Sequence, residues 1–411
     1  MAKTKGVLEG IRIIELGPYV ALPLTGRILS AMGAEVIKVE TNMRPEPMNF
    51  LPPWAPGSGR PEYDAAKLRI TLDWAHPEAR ATMLKLLSKA DAFATNFRRD
   101  ALKKWGIDFP DIRNVNPQII IMWQTGTGSQ GPYGNYKFFG YPSQYATGVA
   151  LMTGLPEDAL AATSTSYSDY HCGVFNPLMI ISALLKRKRT GKPSTIECSI
   201  WKSGIVTVGP ALLDFQANGR PPERLGNGDL YACPHGSYPC KGTDRWCVIS
   251  VFTEKEWQAL CGVMGKPSWT KDPKFTNLAS RTKNADELDK LIANWTINHD
   301  ATEAMDTLQK AGVPAGVVAK GQDLYESPQL KARNFYHESP YYTPNPTKPG
   351  IQWEQGARPA IAGSVPINFS DTPCLFSENK RIGQDNEYVF KKIMGLSDGE
   401  YDNLVKIGVI R

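Results

Sequence analysis

The stretch 11-IRIIELGPYVALPLTGRILSAMGAEVIKVE-40 decides the fold class. Its first six residues form a short apolar run rich in β-branched side chains, which reads as a buried strand. Leu24 to Met32 reads as a short helix, and 34-AEVIKVE-40 as a second strand. Two strands joined by a helix lie parallel, because a parallel pair needs a crossover where an antiparallel pair needs only a hairpin. The alternation continues outward, with a helix from Pro77 to Lys89, the strand 90-ADAFATNF-97, a helix over Ala101 to Trp105 and the strand 118-QIIIMWQT-125. Such a chain predicts an α/β architecture: a large, Rossmann-like, doubly wound domain around a parallel sheet. The glycines at 17, 26 and 33 are too widely spaced for the G-x-G-x-x-G cradle, so NAD is not expected.

A chain of 411 residues exceeds one ordinary core. A helix over about 173–189 and the strand 195-TIECSIW-201 extend the first pattern, and residues 1–216 read as the first part of the large domain. The Gly/Pro/Asn-rich run 217–239 reads as a linker. Residues 240–330 read as a smaller α+β domain, with the strand 246-WCVISV-251 and helices near 254–265, from Asp286, and over Thr302 to Lys310. A Pro-rich return linker over 331–350 then leads to a C-terminal segment, 351–411, expected to pack back on the large domain.

Hydrophobic residues make up 42% and charged residues 21%, the balance of a soluble protein, and no apolar run approaches a membrane span. MAKTKGVLEG runs straight into strand-like sequence without an apolar leader, so a cytoplasmic location is expected. Seven scattered cysteines without a C-x-x-C pair indicate reduced thiols and no zinc site, and no metal is expected. The net charge of +6 is spread out, apart from KRKRTGK at 186–192, and does not require a nucleic acid; an anionic nucleotide-bearing ligand suits it better.

The five histidines have no metal-ligand spacing, and no G-x-S-x-G elbow is present, which removes the main support for zinc and serine hydrolases. In 165-TSYSDYHCGVF-175, Asp169 stands ahead of a long apolar segment, where an acid serves either as a helix cap or as a reagent. His171 and Cys172 adjoin it, but nothing local marks either as activated. The loop 124-QTGTGSQGPYG-134 follows a strand, and its glycines permit close backbone approach to a ligand. In 96-NFRRDALKKWG-106, Asn96, Arg98 and Lys104 can hold phosphate. Aromatics gather at candidate pocket positions: Tyr19, Trp54, Phe138, Phe139, Tyr141, Tyr145, Tyr167 and Tyr170.

Taken in order, LEGIRIIELG, MGAEVIKVE, ITLDWAHPEAR, TNFRRDALKKWGID, VNPQIIIMWQTGTGSQGPYG, GVALMTG, RLGNGDLYACPHGSYPCK, GVPAGVV, DLYESPQLKARNFY, IGQDNE and MGLSDGEYDNL resemble the family III CoA-transferases over nearly the whole chain. That superfamily includes formyl-CoA and carnitine CoA-transferases, with the α-methylacyl-CoA racemases as relatives. The resemblance implies that Asp169, between Thr153-Gly154 and the next long helix, is the covalent carboxylate. It implies CoA contacts at Val20, Ala21 and Leu22, at Asn96, Arg98 and Lys104 for the nucleotide, and at Lys137 and Tyr141 beside the reacting centre. Arg44 stands in 41-TNMR-44, where relatives often have an arginine directly after the glutamate.

No tightly bound cofactor is implied; a CoA thioester is the substrate, with succinyl-CoA the expected donor and a carboxylic acid the acceptor. The racemases carry a histidine where this chain has Gly140-Tyr141-Pro142, so racemisation is the weaker alternative. The glycine run of formyl-CoA transferases is replaced by 226-GNGDLYACPHG-236, which does not favour a small acid such as oxalate. The aromatics suit an aromatic or dicarboxylic acid, as in transferases that use benzylsuccinate. The family also implies an interlocked dimer of ring-like chains closed by long connectors, either with itself or with a paralogous subunit. A non-catalytic CoA-binding subunit of such a pair is a further alternative.

Overall fold

The computed structural model describes residues 6–50, 60–134, 136–160, 163, 166–345, 352–356 and 359–411. Six strands form one sheet: β1 (Arg12–Leu16), β2 (Glu35–Glu40), β3 (Leu68–Thr71), β4 (Ala92–Thr95), β5 (Ile120–Thr125) and β6 (Thr195–Ser199). Their order is β3-β2-β1-β4-β5-β6, with every neighbouring pair parallel. Successive side chains alternate between the two faces of a strand, and helices cover both faces. On one face Ile14, Leu16, Ile37, Val39, Phe93 and Ile121 pack under α3 (Glu78–Leu87) and α5 (Phe109–Val115). On the other, Ile13, Val36, Ala92, Ala94, Ile120 and Met122 pack against α1 (Ala21–Ala31) and α7 (Tyr167–Thr190). The remaining helices of this region are α2 (Arg60–Asp64), α4 (Arg99–Lys104), α6 (Gly140–Ala146), α8 (Ile200–Thr207) and α9 (Gly209–Asn218).

This is the doubly wound α/β class expected from the sequence. Two elements differ from expectation. β3 has no strong local signal, and α7 begins at Tyr167 where the apolar pattern suggests about 173. The early turn meets other elements, with Asp169 against Gly140 of α6 and Tyr170 against Tyr63 of α2, and α1 packs on α7 from Gly173 onward. A Cβ on Gly173 would lie 2.9 Å from Ala21 O, so the two helices approach backbone to backbone at that glycine. Pro177, inside α7, has no N–H to offer the carbonyl one turn earlier, that of Gly173. Thr25 Oγ1 on α1, 2.8 Å from Ala21 O of its own helix, also lies 3.2 Å from that oxygen. Asn176 Nδ2 donates to Thr25 Oγ1 at 3.1 Å and to Gln124 Oε1 at 3.0 Å, joining α1, α7 and β5 through buried polar groups.

The chain divides into two compact units, one of Met1–Ala150, Ala162–Arg220 and Lys331–Arg411, the other of Leu151–Ala161 and Pro221–Leu330. In the second unit an antiparallel three-stranded sheet, His235–Pro239, Trp246–Ser250 and Ala315–Val317, packs with helices Glu254–Val263, Ala285–Thr296 and Ala301–Lys310 around Trp257, Leu260, Leu288, Ile292 and Leu308. The boundaries differ from those read in sequence. Residues 235–239, expected in a linker, are an edge strand of this sheet with Tyr238 buried, and 151–161 join this unit. Gly226 N–H donates to Gly154 O at 3.2 Å, and Arg224 Nη2 to Pro156 O at 3.3 Å.

The stretch 331–350, expected as a return linker, carries strand Tyr336–Ser339, antiparallel to Ala360–Gly363, and strand Tyr342–Asn345, antiparallel to Gln352–Gln355; residues 346–351 lie outside the described residues. The C-terminal segment places Val389, Phe390, Met394, Val409 and Ile410 in the core beneath the sheet of the first unit. Part of it, Tyr388–Ile393, is a π-helix.

Candidate active site

Asp169 is the third residue of α7, inside the first helical turn, with its N–H donating to Ser166 O at 2.8 Å. Its carboxylate therefore does not cap this helix. Instead it lies against the start of α6, where the Gly140 N–H hydrogen-bonds it. A Cβ on Gly140 would fall 2.1 Å from Oδ2, so only glycine admits the carboxylate here. Burial pushes the Asp169 carboxyl up to about 7, against the opposing pull of the Gly140 N–H. No cation contributes to that balance. A desolvated, weakly solvated carboxylate is the state from which an acid attacks a carbonyl carbon most readily.

The neighbours of Asp169 are not reagents. The His171 ring stacks on Tyr167 at 6.2 Å and meets Phe175 edge-on at 4.7 Å, with Nδ1 buried and unbonded. Cys172 Sγ lies 3.4 Å from Cys198 Sγ. That contact and burial push the Cys172 thiol far above its ordinary value, so the thiolate does not form. Tyr63 of α2, which the sequence did not single out, places its hydroxyl 2.5 Å from that of Tyr170.

A cavity of about 850 Å³ opens beyond the carboxyl ends of β1 to β4. The chain order reverses between β1 and β4, the switch point at which doubly wound sheets bind ligands. Arg44 and Lys104 both line it, together with Gly17, Tyr19, Trp74 and Trp105. Trp74 and Trp105 stack at 4.7 Å and 21°, with Phe97 edge-on to Trp105 at 5.1 Å. The wall is also charged. Lys38 Nζ lies 2.9 Å from Asp64 and 3.4 Å from Glu46, and Arg69 donates to Glu40 at 2.7 Å. Burial works against the Lys38 charge, but Asp64, Glu46 and Glu40 outweigh it and hold the ammonium above its ordinary value. Tyr19, at the left-handed φ of 72°, is held by its N–H on Glu46 at 3.1 Å.

The other expected CoA residues are placed differently. Ala21 and Leu22 are buried in the core and offer only backbone, at the start of a helix that no side chain caps, with Val20 as its N-cap. Asn96 holds the first turn: Nδ2 donates to Pro18 O at 2.8 Å, and a Cβ on Gly17 would strike Oδ1 at 1.9 Å. Arg98 is exposed, 2.9 Å from Asp100. Lys137 is exposed, as is Tyr141, whose hydroxyl lies 3.4 Å from that of Tyr145. None of Val20, Asn96, Arg98, Lys137 and Tyr141 lines the cavity. Of the aromatics, Phe138 packs against the core, while Tyr19, Phe139, Tyr141, Tyr145, Tyr167 and Tyr170 are exposed; Trp54 lies outside the described residues. Asp73 to Ala75 and Trp105, also on the cavity wall, were not among the expected contacts. Among the described residues no group of His, Cys, Asp and Glu is placed to hold a metal ion.

The chain is similar, at 28% identity over 96% of its length and 95% of the relative's, to a succinyl-CoA–D-citramalate CoA-transferase of Chloroflexus aurantiacus. The beta subunit of a succinyl-CoA–L-malate CoA-transferase from the same organism is 25% identical over 97% of this chain and 96% of that one. A crystal structure of a CaiB/BaiF family protein from Brucella suis superposes with a TM-score of 0.84 at 24% identity, over 95% of this chain and all of that one, and shares its fold. The family model described as CoA-transferase family III matches residues 8–378, and the chain belongs to that family.

Proposed function

We propose that this enzyme moves CoA from an acyl-CoA to a free carboxylic acid through a covalent intermediate on Asp169. As a family III CoA-transferase it takes CoA thioesters as substrates. In this reading Asp169 attacks the thioester carbonyl, forming a mixed anhydride and releasing CoA thiolate. The thiolate attacks the aspartyl carbonyl and expels the donor's acid as a carboxylate. The acceptor carboxylate then attacks the aspartyl-CoA thioester, and the CoA thiolate released takes the acyl group of the new anhydride, so that Asp169 is regenerated. The Gly140 N–H stands beside the reacting carboxyl and supplies a donor to the developing oxyanion. The cavity at the switch point takes the nucleotide end, with Arg44 and Lys104 on its phosphates and the Trp74–Trp105 wall beside the base.

The observation that carries the reading is the buried, cation-free Asp169 carboxyl, raised to about 7, against Gly140. Succinyl-CoA is the proposed donor, in keeping with the names of the relatives. An aromatic or dicarboxylic acceptor such as benzylsuccinate suits the exposed Phe139, Tyr167 and Tyr170 around Asp169. Assembly as an interlocked dimer, with itself or with a paralogous subunit, and a cytoplasmic location complete the proposal. Incubation with succinyl-CoA should add the mass of CoA less water, removable by hydroxylamine and mapped to Asp169. An Asp169→Ala variant should lose both the adduct and transfer; full transfer by that variant refutes the mechanism.

A further inference from the structure

The hydroxyl pair beside the nucleophile has no part in the chemistry so far. Tyr63 is 4% exposed and is the penultimate residue of α2, and its Oη lies 2.5 Å from Tyr170 Oη, with the rings tilted by 53°. Tyr170 follows Asp169 in the first turn of α7 and is 38% exposed. Among the described residues, Tyr170 Oη is the single hydrogen-bond partner of Tyr63 Oη. A buried phenol with one partner donates to it, since its hydrogen has neither another acceptor nor water to reach. Tyr170 Oη is therefore the acceptor. Its own hydrogen is free for the exposed side, polarised by the O–H behind it.

Electrostatics favours a neutral donor at this place. Burial, the bond to Tyr170 and the Asp169 charge hold the Tyr63 hydroxyl far above its ordinary value, so it stays protonated. A lysine or arginine beside Asp169 would pair with it and quench the nucleophile, and no cation does so. A phenol can instead receive a carboxylate through a charge-assisted hydrogen bond without forming an ion pair with the catalytic acid.

We propose that the Tyr170 hydroxyl receives the carboxylate of the acceptor acid next to Asp169, with Tyr63 as a positioning residue acting through it. The proposal rests on the Asp169 reading above and sets the affinity for the acid rather than for CoA. Tyr170→Phe and Tyr63→Phe each remove one oxygen and keep the ring. With labelled succinate exchanging into succinyl-CoA, Tyr170→Phe should raise KM for succinate by about ten- to a hundredfold, the loss of one hydrogen bond to a charged group. KM for succinyl-CoA should stay within about twofold of wild type, because CoA contacts are untouched. Tyr63→Phe should raise KM for succinate less, and the double variant should be no worse than Tyr170→Phe, because the two act in series.

An unchanged KM for succinate in Tyr170→Phe overturns the proposal. So does an additive double variant, or an equal rise in both KM values accompanied by a lower unfolding temperature. The CoA adduct on wild-type protein tests Asp169 separately. If no adduct and no exchange occur, the covalent reading fails. Calorimetric titration of succinate still decides the tyrosine pair, with at least about tenfold weaker binding to Tyr170→Phe supporting it and equal Kd values overturning it.

Discussion

Asp169 carries opposite demands from stability and chemistry. Its folded-state carboxyl is raised to about 7 by burial, whereas in the unfolded chain it titrates near its ordinary value of 3.8. Below that lower value both states are protonated and the group is neutral to stability. As pH rises, the unfolded state ionises first, and the folded state loses stability until its own carboxyl ionises near 7. An Asp169→Asn variant keeps the shape, and its amide oxygen still accepts from Gly140. It should match wild type near pH 4 and become more stable with rising pH, reaching about 2–4 kcal/mol above pH 7. Denaturant unfolding at pH 4 and pH 8 measures this, and an equal difference at both contradicts a buried ionised group. Activity runs the other way. In the proposed mechanism the nucleophile is the carboxylate, so kcat/KM for acyl-CoA should fall tenfold per unit below about 7. A flat profile to pH 5 would remove Asp169 from the rate-setting role.

At the scale of elements, the contact of α1 with α7 sets where that carboxylate stands. Gly173→Ala places a Cβ 2.9 Å from Ala21 O and 3.0 Å from a Leu24 methyl. The helices must separate, at a cost of about 1–3 kcal/mol in unfolding free energy. Moving α1 also moves its uncapped start, so KM for acyl-CoA should rise; an unchanged melting temperature and KM would show the helices to be loosely coupled. How far such elements are legible from sequence depends on where their stabilising contacts lie. β1, β2, β4 and β5 are legible because runs such as IRIIEL and QIIIMWQT carry their own burial signal. β3, with Arg69 in its four residues, does not, because Arg69 is neutralised by Glu40 and its N–H is taken by Asp385 from the far end of the chain. The first turn of α7, polar and aromatic, has no apolar period and meets Gly140 of α6 and Tyr63 of α2. Asp169 was found through the order of its flanking segments. The Gly140 N–H against it, and Tyr63 against its neighbour Tyr170, come from remote segments and left no local mark. The cavity repeats the pattern: Arg44 and Lys104, expected as CoA contacts, do line it, whereas Trp74 and Trp105 carried no signal, because their stacking joins segments that follow β3 and β4, strands that β2 and β1 separate in the sheet.

The larger unit closes only when the end of the chain returns to it. β3 is an edge strand, and an open edge is a template for pairing with another chain. The C-terminal segment covers it with side chains: Asp385 Oδ2 accepts from Arg69 N–H at 2.8 Å, and Asn386 Oδ1 from Thr71 N–H at 2.8 Å. Asp385 N–H returns a bond to Arg69 O at 3.1 Å. Beyond these residues Val389, Phe390, Met394, Val409 and Ile410 are each no more than 4% exposed and fill the core under the sheet. Deleting residues 385–411 therefore removes five core side chains and bares the edge at once. The shortened chain should fail to unfold cooperatively and should scatter light at concentrations where the full chain stays clear. Double substitution of Asp385 and Asn386 by Ala isolates the edge from the core. It leaves two β3 N–H groups without their acceptors, and should cost about 2–5 kcal/mol while leaving the core side chains in place. Comparison of the two variants by thermal unfolding and light scattering separates the contributions. A truncated chain that melts as sharply and as high as the full one would show that the tail is an accessory to the sheet rather than its closing element.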